Sequence, residues 1–143
     1  MKSIFHFPFY RQWNGYSCGA EVLRMGVKVI TGKAIPRKEA EDVLGCYPNG
    51  VSLVKLKKVF RRYGVKVGRT FKPTQSRVAD ALRAGRYLVI DDDETYRSCH
   101  VMILPGCFTS RLVWCADPMV GFPTLRTLDR VAKSATEAFT VAA

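Results

Sequence analysis

The chain has 143 residues, 48% of them hydrophobic, enough to bury one core and too few for two. Its 23 basic residues against 12 acidic ones leave a net charge of +11, and no run approaches the roughly eighteen consecutive apolar residues of a membrane-spanning helix. Five cysteines without regular spacing argue against a disulfide framework and for a reducing compartment.

The first ten residues, Met1 to Tyr10, follow Lys2 with apolar side chains but are interrupted by His6 and Pro8. They lead straight into Gln12, so cleaving them as a secretion signal would damage the segment around Gln12, and they read as a structural strand of a cytoplasmic protein. His6 has no partner pattern and belongs to the surface or a strand edge. After Cys18, polar residues recur at Glu21, Arg24, Lys28 and Thr31, while Val22, Leu23, Met25, Val27, Val29 and Ile30 fill the rest of the circumference. This predicts a helix buried on most sides with one narrow wet stripe, capped by Ser17 and ended by Gly32. Cys18 then sits in its first turn, where unpaired backbone N–H groups and the positive end of the helix dipole favour a thiolate over a thiol.

Pro36 to Leu44 predicts a short charged helix ending at Gly45, and Cys46 to Gly50 a turn-rich loop. Ser52 caps a helix whose apolar stripe is Leu53, Leu56, Val59, Phe60 and Tyr63, ending at Gly64. On its other side Lys55, Lys58 and Arg62 share a face, with Lys57 and Arg61 beside them. A positive face of that kind suits nucleic acid or an acidic partner, although a solvated helix surface has the same composition. Val65 to Arg69 predicts a short strand, Thr74 to Ala84 a helix stopped by Gly85, and Tyr87 to Ile90 a buried strand. Asp91, Asp92, Asp93 and Glu94 form an acidic run that reads as a solvated turn at a cleft rim. His100 heads the apolar run Val101 to Leu104, which ends at Pro105-Gly106, and Arg111 to Ala116 is the antiparallel return strand, ending in Asp117-Pro118. A helical front half thus precedes a strand-rich back half, an α+β order in which one domain, residues 1–143, draws on two layers.

Gln12 lies six residues before Cys18, with His100 and Asp117 coming later in that order. A thiolate attacks a carbonyl but needs a proton donor for the leaving group and donors for the oxyanion. Gln12 can supply one oxyanion donor from its amide and Cys18 another from its backbone N–H. His100 can shuttle the proton, and Asp117 can accept the imidazole N–H and fix its tautomer. Gly19 has no side chain to obstruct a carbonyl over that first turn, and Trp13 and Tyr16 flank it, as groove lining or as core. Cys46, Cys99, Cys107 and Cys115 read as small core hydrophobes.

These residues carry a resemblance. Gln12 six before Cys18-Gly19-Ala20, Leu23 and Met25 on the helix, a histidine heading an apolar strand, and Asp117-Pro118-Met119-Val120-Gly121 resemble papain-like cysteine peptidases. Within that group the chain is most similar to the double-glycine leader peptidases that often form the N-terminal domain of bacteriocin-exporting ABC transporters. The resemblance implies a papain-like α+β fold, with the nucleophile at a helix N-terminus packed on an antiparallel sheet from the C-terminal half. It also implies a peptidase needing no cofactor or metal, with Cys18 as nucleophile, His100 as base and acid, Asp117 as orienter and Gln12 as oxyanion donor, acting on a peptide or protein. Glu21 departs from the pattern: the family usually has a small residue there, and a carboxylate facing Cys18 would oppose the thiolate unless Arg24 pairs with it. With no run approaching eighteen apolar residues, no exporter domain is expected to follow, and recognition of a double-glycine leader is not implied.

Two other classes compete. Cys99, His100, Cys107 and Cys115 offer a zinc-type ligand set, without a paired knuckle and on strands whose alternate residues face opposite ways. A catalytically degenerate peptidase fold could instead present the face of Lys55, Lys58 and Arg62 to nucleic acid or an acidic protein, as in a phage- or nucleoid-associated protein.

Overall fold

The helices form where their ends are chemically marked. The computed structural model of the chain describes residues 4–46, 50–92 and 100–143. Helix α1 spans Cys18–Thr31 and closes on Gly32, whose φ of 80° is left-handed and whose N–H donates to Lys28 O at 2.9 Å. Helix α2 spans Arg37–Leu44 and closes in the same way on Gly45. Helix α3 (Leu53–Arg62) starts at Ser52, whose hydroxyl accepts the Lys55 N–H, and buries Leu53, Leu56, Val59 and Phe60. Strand β1 is only Lys66–Val67, and helix α4 (Gln75–Arg83) is capped by Thr74.

Strands β2 (Tyr87–Asp91), β3 (Val101–Cys107) and β4 (Leu112–Ala116) come next, then β5 (Pro123–Thr127), helix α5 (Leu128–Ser134) and β6 (Glu137–Ala142). They assemble into one sheet in the order β1-β6-β2-β3-β4-β5 with every neighbouring pair antiparallel. Strand β2 is buried at every position because both faces of the sheet are covered. Tyr87, Val89, Val101 and Ile103 pack with the α1, α2 and α3 side chains. Their alternates Leu88, Ile90, Met102 and Leu104 pack with Val78 and Leu82 of α4 and Val131 of α5. The result is an α+β sandwich of three helices, a sheet and two helices. Gly26 lets α1 lie close to α3, since a Cβ there would sit 2.6 Å from Phe60 Cε1.

Three readings change. From Ile4 on, the N-terminal segment is no strand: Ile4–His6 is a 3₁₀ turn closed by the Phe7 N–H on Ile4 O at 3.0 Å, and Pro8 has no N–H to give a ladder. Strand β3 does not end at Pro105-Gly106 but runs through it, its register with β4 shifting between Ile103 and Gly106, where Pro105 cannot donate. Strand β1 is shorter than Val65 to Arg69, and β5 with α5 had no sequence signal strong enough to mark them. Residues 47–49 and 93–99, which hold part of the predicted turn-rich loop and Asp93, Glu94 and Cys99, lie outside the described residues.

Candidate active site

Cys18 opens α1 and is 6% exposed, within the core cluster that also holds Val22, Val101 and Ala116. Ser17 occupies the N-cap position, but its hydroxyl makes no cap bond and is buried without a partner. Its φ and ψ of −100° and 14° are not the extended values that aim a capping oxygen at the helix. The anticipated cap is therefore missing, and the Cys18 turn keeps its N–H groups unclaimed by that side chain.

His100 immediately precedes β3 and is held through its backbone, its carbonyl accepting the Asp92 N–H at 2.7 Å and its N–H donating to Asp91 Oδ1 at 3.3 Å. Its Nε2 donates to Asp117 Oδ1 at 2.7 Å, which leaves Nδ1 to serve the Cys18 side chain, to which His100 is also hydrogen-bonded. Burial pulls the imidazole pKa down. The hydrogen bonds and opposite charges of Asp117 and Cys18 more than offset this and push it up from 6.5 to about 9. Asp117 directly follows β4 and starts a tight turn, its carboxylate accepting the Met119 N–H at 2.9 Å and its carbonyl the Val120 and Gly121 N–H groups at 3.0 Å.

The described part of the acidic run, Asp91 and Asp92, is not a solvated turn. Asp91 and Asp92 are both buried, and Asp92 pairs with the buried Arg126 of β5, whose second nitrogen lies 3.8 Å from Asp117 Oδ2. Arg126 is a site residue the sequence did not reveal. It sits 34 positions from Asp92 in a strand without apolar alternation, so no local pattern signals it.

Gln12 reaches the same turn from the N-terminal segment, its backbone N–H donating to Pro118 O at 2.7 Å. Its side-chain Nε2 donates to Asn14 O at 2.6 Å, and Oε1 is buried without a partner. Trp13 is 77% exposed and lies under the Arg37 guanidinium, 4.5 Å from ring centroid to Cζ, whereas Tyr16 packs against the core. The space a Cβ would take at Gly19 is filled by Val51, so in the fold its missing side chain makes room for a valine rather than a carbonyl. Glu21 belongs to no wet stripe: it is fully buried, with Oε2 2.8 Å from Arg24 and Oε1 2.8 Å from Arg37.

The other described cysteines are thiols whose pKa is raised by burial. Burial, then the negative charge of Cys18, pushes Cys46 up to about 11 against an opposing hydrogen bond from Ala20. Burial pushes Cys115 up to about 12 and also raises Cys107. All three stay protonated at neutral pH. Among the described residues no group of three side chains could hold a metal. On α3, Lys58, Arg61 and Arg62 are exposed, Lys55 is half-buried, and Lys57 reaches across to Thr70 Oγ1 at 2.9 Å.

No protein-family model and no curated protein matches the sequence. Solved structures do. The peptidase domain of Streptococcus ComA, described as a bi-functional ABC transporter involved in quorum sensing, superimposes with a TM-score of 0.82 at 16% identity, over 96% of this chain and 98% of that one. A double glycine motif protease from an AMS/PCAT transporter, solved with its leader peptide, gives 0.74 at 18% identity over 94% and 89%. The peptidase domain of Streptococcus mutans ComA gives 0.72 at 14% identity over 96% and 100%. The chain has the papain-like peptidase fold. In that fold, as built here, α1 is the helix headed by Cys18, and β3 and β4 carry His100 and Asp117 at adjacent ends. Among the described residues no helix is long and apolar enough to cross a membrane.

Proposed function

We propose that the chain is a cysteine peptidase of one domain that hydrolyses a peptide or peptide-like amide bond through a Cys18 thioacyl intermediate. One observation carries the reading. His100 sits between the helix-terminal Cys18 and the buried Asp117, and its pKa of about 9 makes imidazolium the prevailing form at neutral pH, the form that pairs with a thiolate.

Cys18 attacks the carbonyl carbon. The oxyanion is received by the Cys18 N–H at the head of α1 and by the Gln12 amide. His100 gives its proton to the leaving amine, then takes one from the water that cleaves the thioester, while Asp117 holds the ring through both steps. The peptide lies across the Cys18 end of α1, where His100 meets it, with the exposed Trp13 alongside. The fold's likeness to a protease solved with its leader peptide supports a peptide substrate, and a double-glycine peptide is the first to try.

The test is incubation with a peptide panel that includes a Gly-Gly cleavage site, with acid-quench mass spectrometry for an acyl adduct. An adduct on Cys18, and turnover lost in Cys18→Ala and His100→Ala, is the expected result. A chain that cleaves nothing and whose Cys18 reacts with iodoacetamide no faster than an ordinary thiol would overturn the reading.

A second reading concerns α3. Lys58, Arg61 and Arg62 face solvent together, and Arg61 repels Lys57 strongly enough to help burial lower its pKa. This concentration of positive charge favours an acidic partner, nucleic acid included, with the peptidase fold serving as a binding module. Steeply salt-dependent binding of duplex DNA, unchanged in Cys18→Ala and lost when Lys58, Arg61 and Arg62 become Gln, would support it.

A further inference from the structure

Glu21 is buried one turn after the nucleophile, a place where a carboxylate is costly unless fully paired. Both its oxygens are claimed, Oε2 by Arg24 of the same helix and Oε1 by Arg37 at the start of α2. The two cations are themselves committed to one stretch of chain. Arg24 donates its Nε to Ile35 O at 2.8 Å and stacks 4.3 Å from the Tyr10 ring. Arg37 donates Nη2 to Arg11 O at 3.3 Å and covers the Trp13 ring. One carboxylate thus holds two guanidinium groups that grip Tyr10, Arg11 and Trp13, the residues on either side of Gln12.

The opposite side of that stretch is held as firmly. Gln12 N–H bonds Pro118 O, and Gly121, at φ 79°, lies so near Arg11 that a Cβ would come within 2.5 Å of the Arg11 Cβ. Pro118 and Gly121 belong to the turn that Asp117 starts. The Gln12 segment is therefore clamped between the Glu21 cluster on the nucleophile's helix and the turn carrying the His100 partner. The cluster's formal charge is one negative against two positive, so Glu21 does not present a net negative charge to the Cys18 turn.

We infer that Glu21 is a positioning residue: acting through Arg37, it sets the Gln12 amide and the Trp13 ring relative to Cys18. The roles of Gln12 and Trp13 rest on the peptidase reading above; the clamp itself does not. A purely structural role, tying α1 to α2, predicts lost stability with unchanged chemistry in the folded fraction.

The test separates the two with reagents of different demand. Iodoacetamide alkylates a thiolate without forming an oxyanion, whereas p-nitrophenyl acetate acylates Cys18 through a tetrahedral oxyanion. In Glu21→Gln, and in Arg37→Gln should the first variant not fold, alkylation of Cys18 stays within about twofold of wild type while acylation falls at least about tenfold, part of the loss expected for an oxyanion donor. In a Gln12→Ala background the same substitution brings no further loss. Amide hydrogen exchange at Gln12 should rise about tenfold in either variant, a readout independent of activity. Unchanged exchange at Gln12, or acylation and alkylation falling together, overturns the inference. A wild-type chain that p-nitrophenyl acetate does not acylate counts against the peptidase reading instead, and the exchange measurement then decides the clamp.

Discussion

Asp117→Asn isolates what the carboxylate does to His100. In the wild type the imidazole pKa is pushed from 6.5 to about 9, so at pH 7 about 99% of it is imidazolium. The amide keeps an oxygen for the Met119 N–H but removes the negative charge, leaving burial, which pulls the pKa down, as the main influence besides Cys18. The midpoint should fall to 6.5 or lower, and the imidazolium fraction at pH 7 to about a quarter or less. With only two histidines in the chain, the imidazole C–H resonances in an NMR titration are assigned by comparison with His6→Gln. Turnover should drop about a hundredfold or more. The same shift sets the sign for stability. A folded-state pKa raised above the unfolded 6.5 stabilises fully below about 6.5, and the contribution, on the order of 3 kcal/mol, is lost as pH rises through about 9. Urea midpoints should therefore decline between pH 6.5 and 9 in the wild type and much less in Asp117→Asn. A wild-type His100 titrating near 6.5, or a midpoint that Asp117→Asn leaves in place, would refute the reasoning.

Gly19→Ala drives a methyl group into the Val51 side chain and should cost about 1–3 kcal/mol in urea unfolding, recovered when Val51→Ala is added; an unchanged midpoint would mean that side of the turn is open. Two serines at helix starts should behave oppositely: Ser52→Ala loses the bond from the Lys55 N–H and about 1 kcal/mol, whereas Ser17→Ala removes a buried hydroxyl without a partner and should be neutral or stabilising in the same urea assay. Arg126→Met takes the guanidinium from the buried Asp92 and should destabilise by about 3–5 kcal/mol, with Asp92→Asn restoring part of it in the double variant.

Helices α1 to α4 were legible because their signals are local. Ser52 and Thr74 cap, Gly32 and Gly45 stop, and the apolar stripe of Leu53, Leu56, Val59 and Phe60 has a helical period. The buried strands β2 and β3 were legible as apolar runs. The N-terminal segment misled because its aromatics look like strand residues, while Phe7 instead packs its ring 5.8 Å from Tyr87. Strand β5 begins with Pro123 at the sheet edge, where a missing N–H is harmless, and it exposes Leu125 while burying Arg126, so it carries no strand signature. Within the candidate site, residue order and the Cys18 helix pointed to Cys18, His100 and Asp117. What lay beyond reading were the pairings across long separations, Arg37 with Glu21 and Arg126 with Asp92. Such pairs obey no period, and each partner alone looks like an ordinary surface charge.

Those pairings also change what the excess positive charge means. Arg24, Arg37 and Arg126 count toward the +11, yet each pairs with a buried carboxylate, Glu21 or Asp92. Both of those carboxylates belong to residues that adjoin a site element: Glu21 lies one turn after Cys18 on α1, and Asp92 donates its backbone N–H to the His100 carbonyl. The nucleophile and the imidazole are in turn brought together by regular elements rather than by loops. Helix α1 packs across β3, with Gly26 admitting Phe60 and Ile103 beneath it, so the helix start and the strand start meet where Cys18 and His100 stand. A site built on a helix terminus and a strand terminus, each anchored by a buried ion pair, keeps its geometry through the rigidity of the core. Substitutions that loosen the ion pairs should then disturb the chemistry before they unfold the chain.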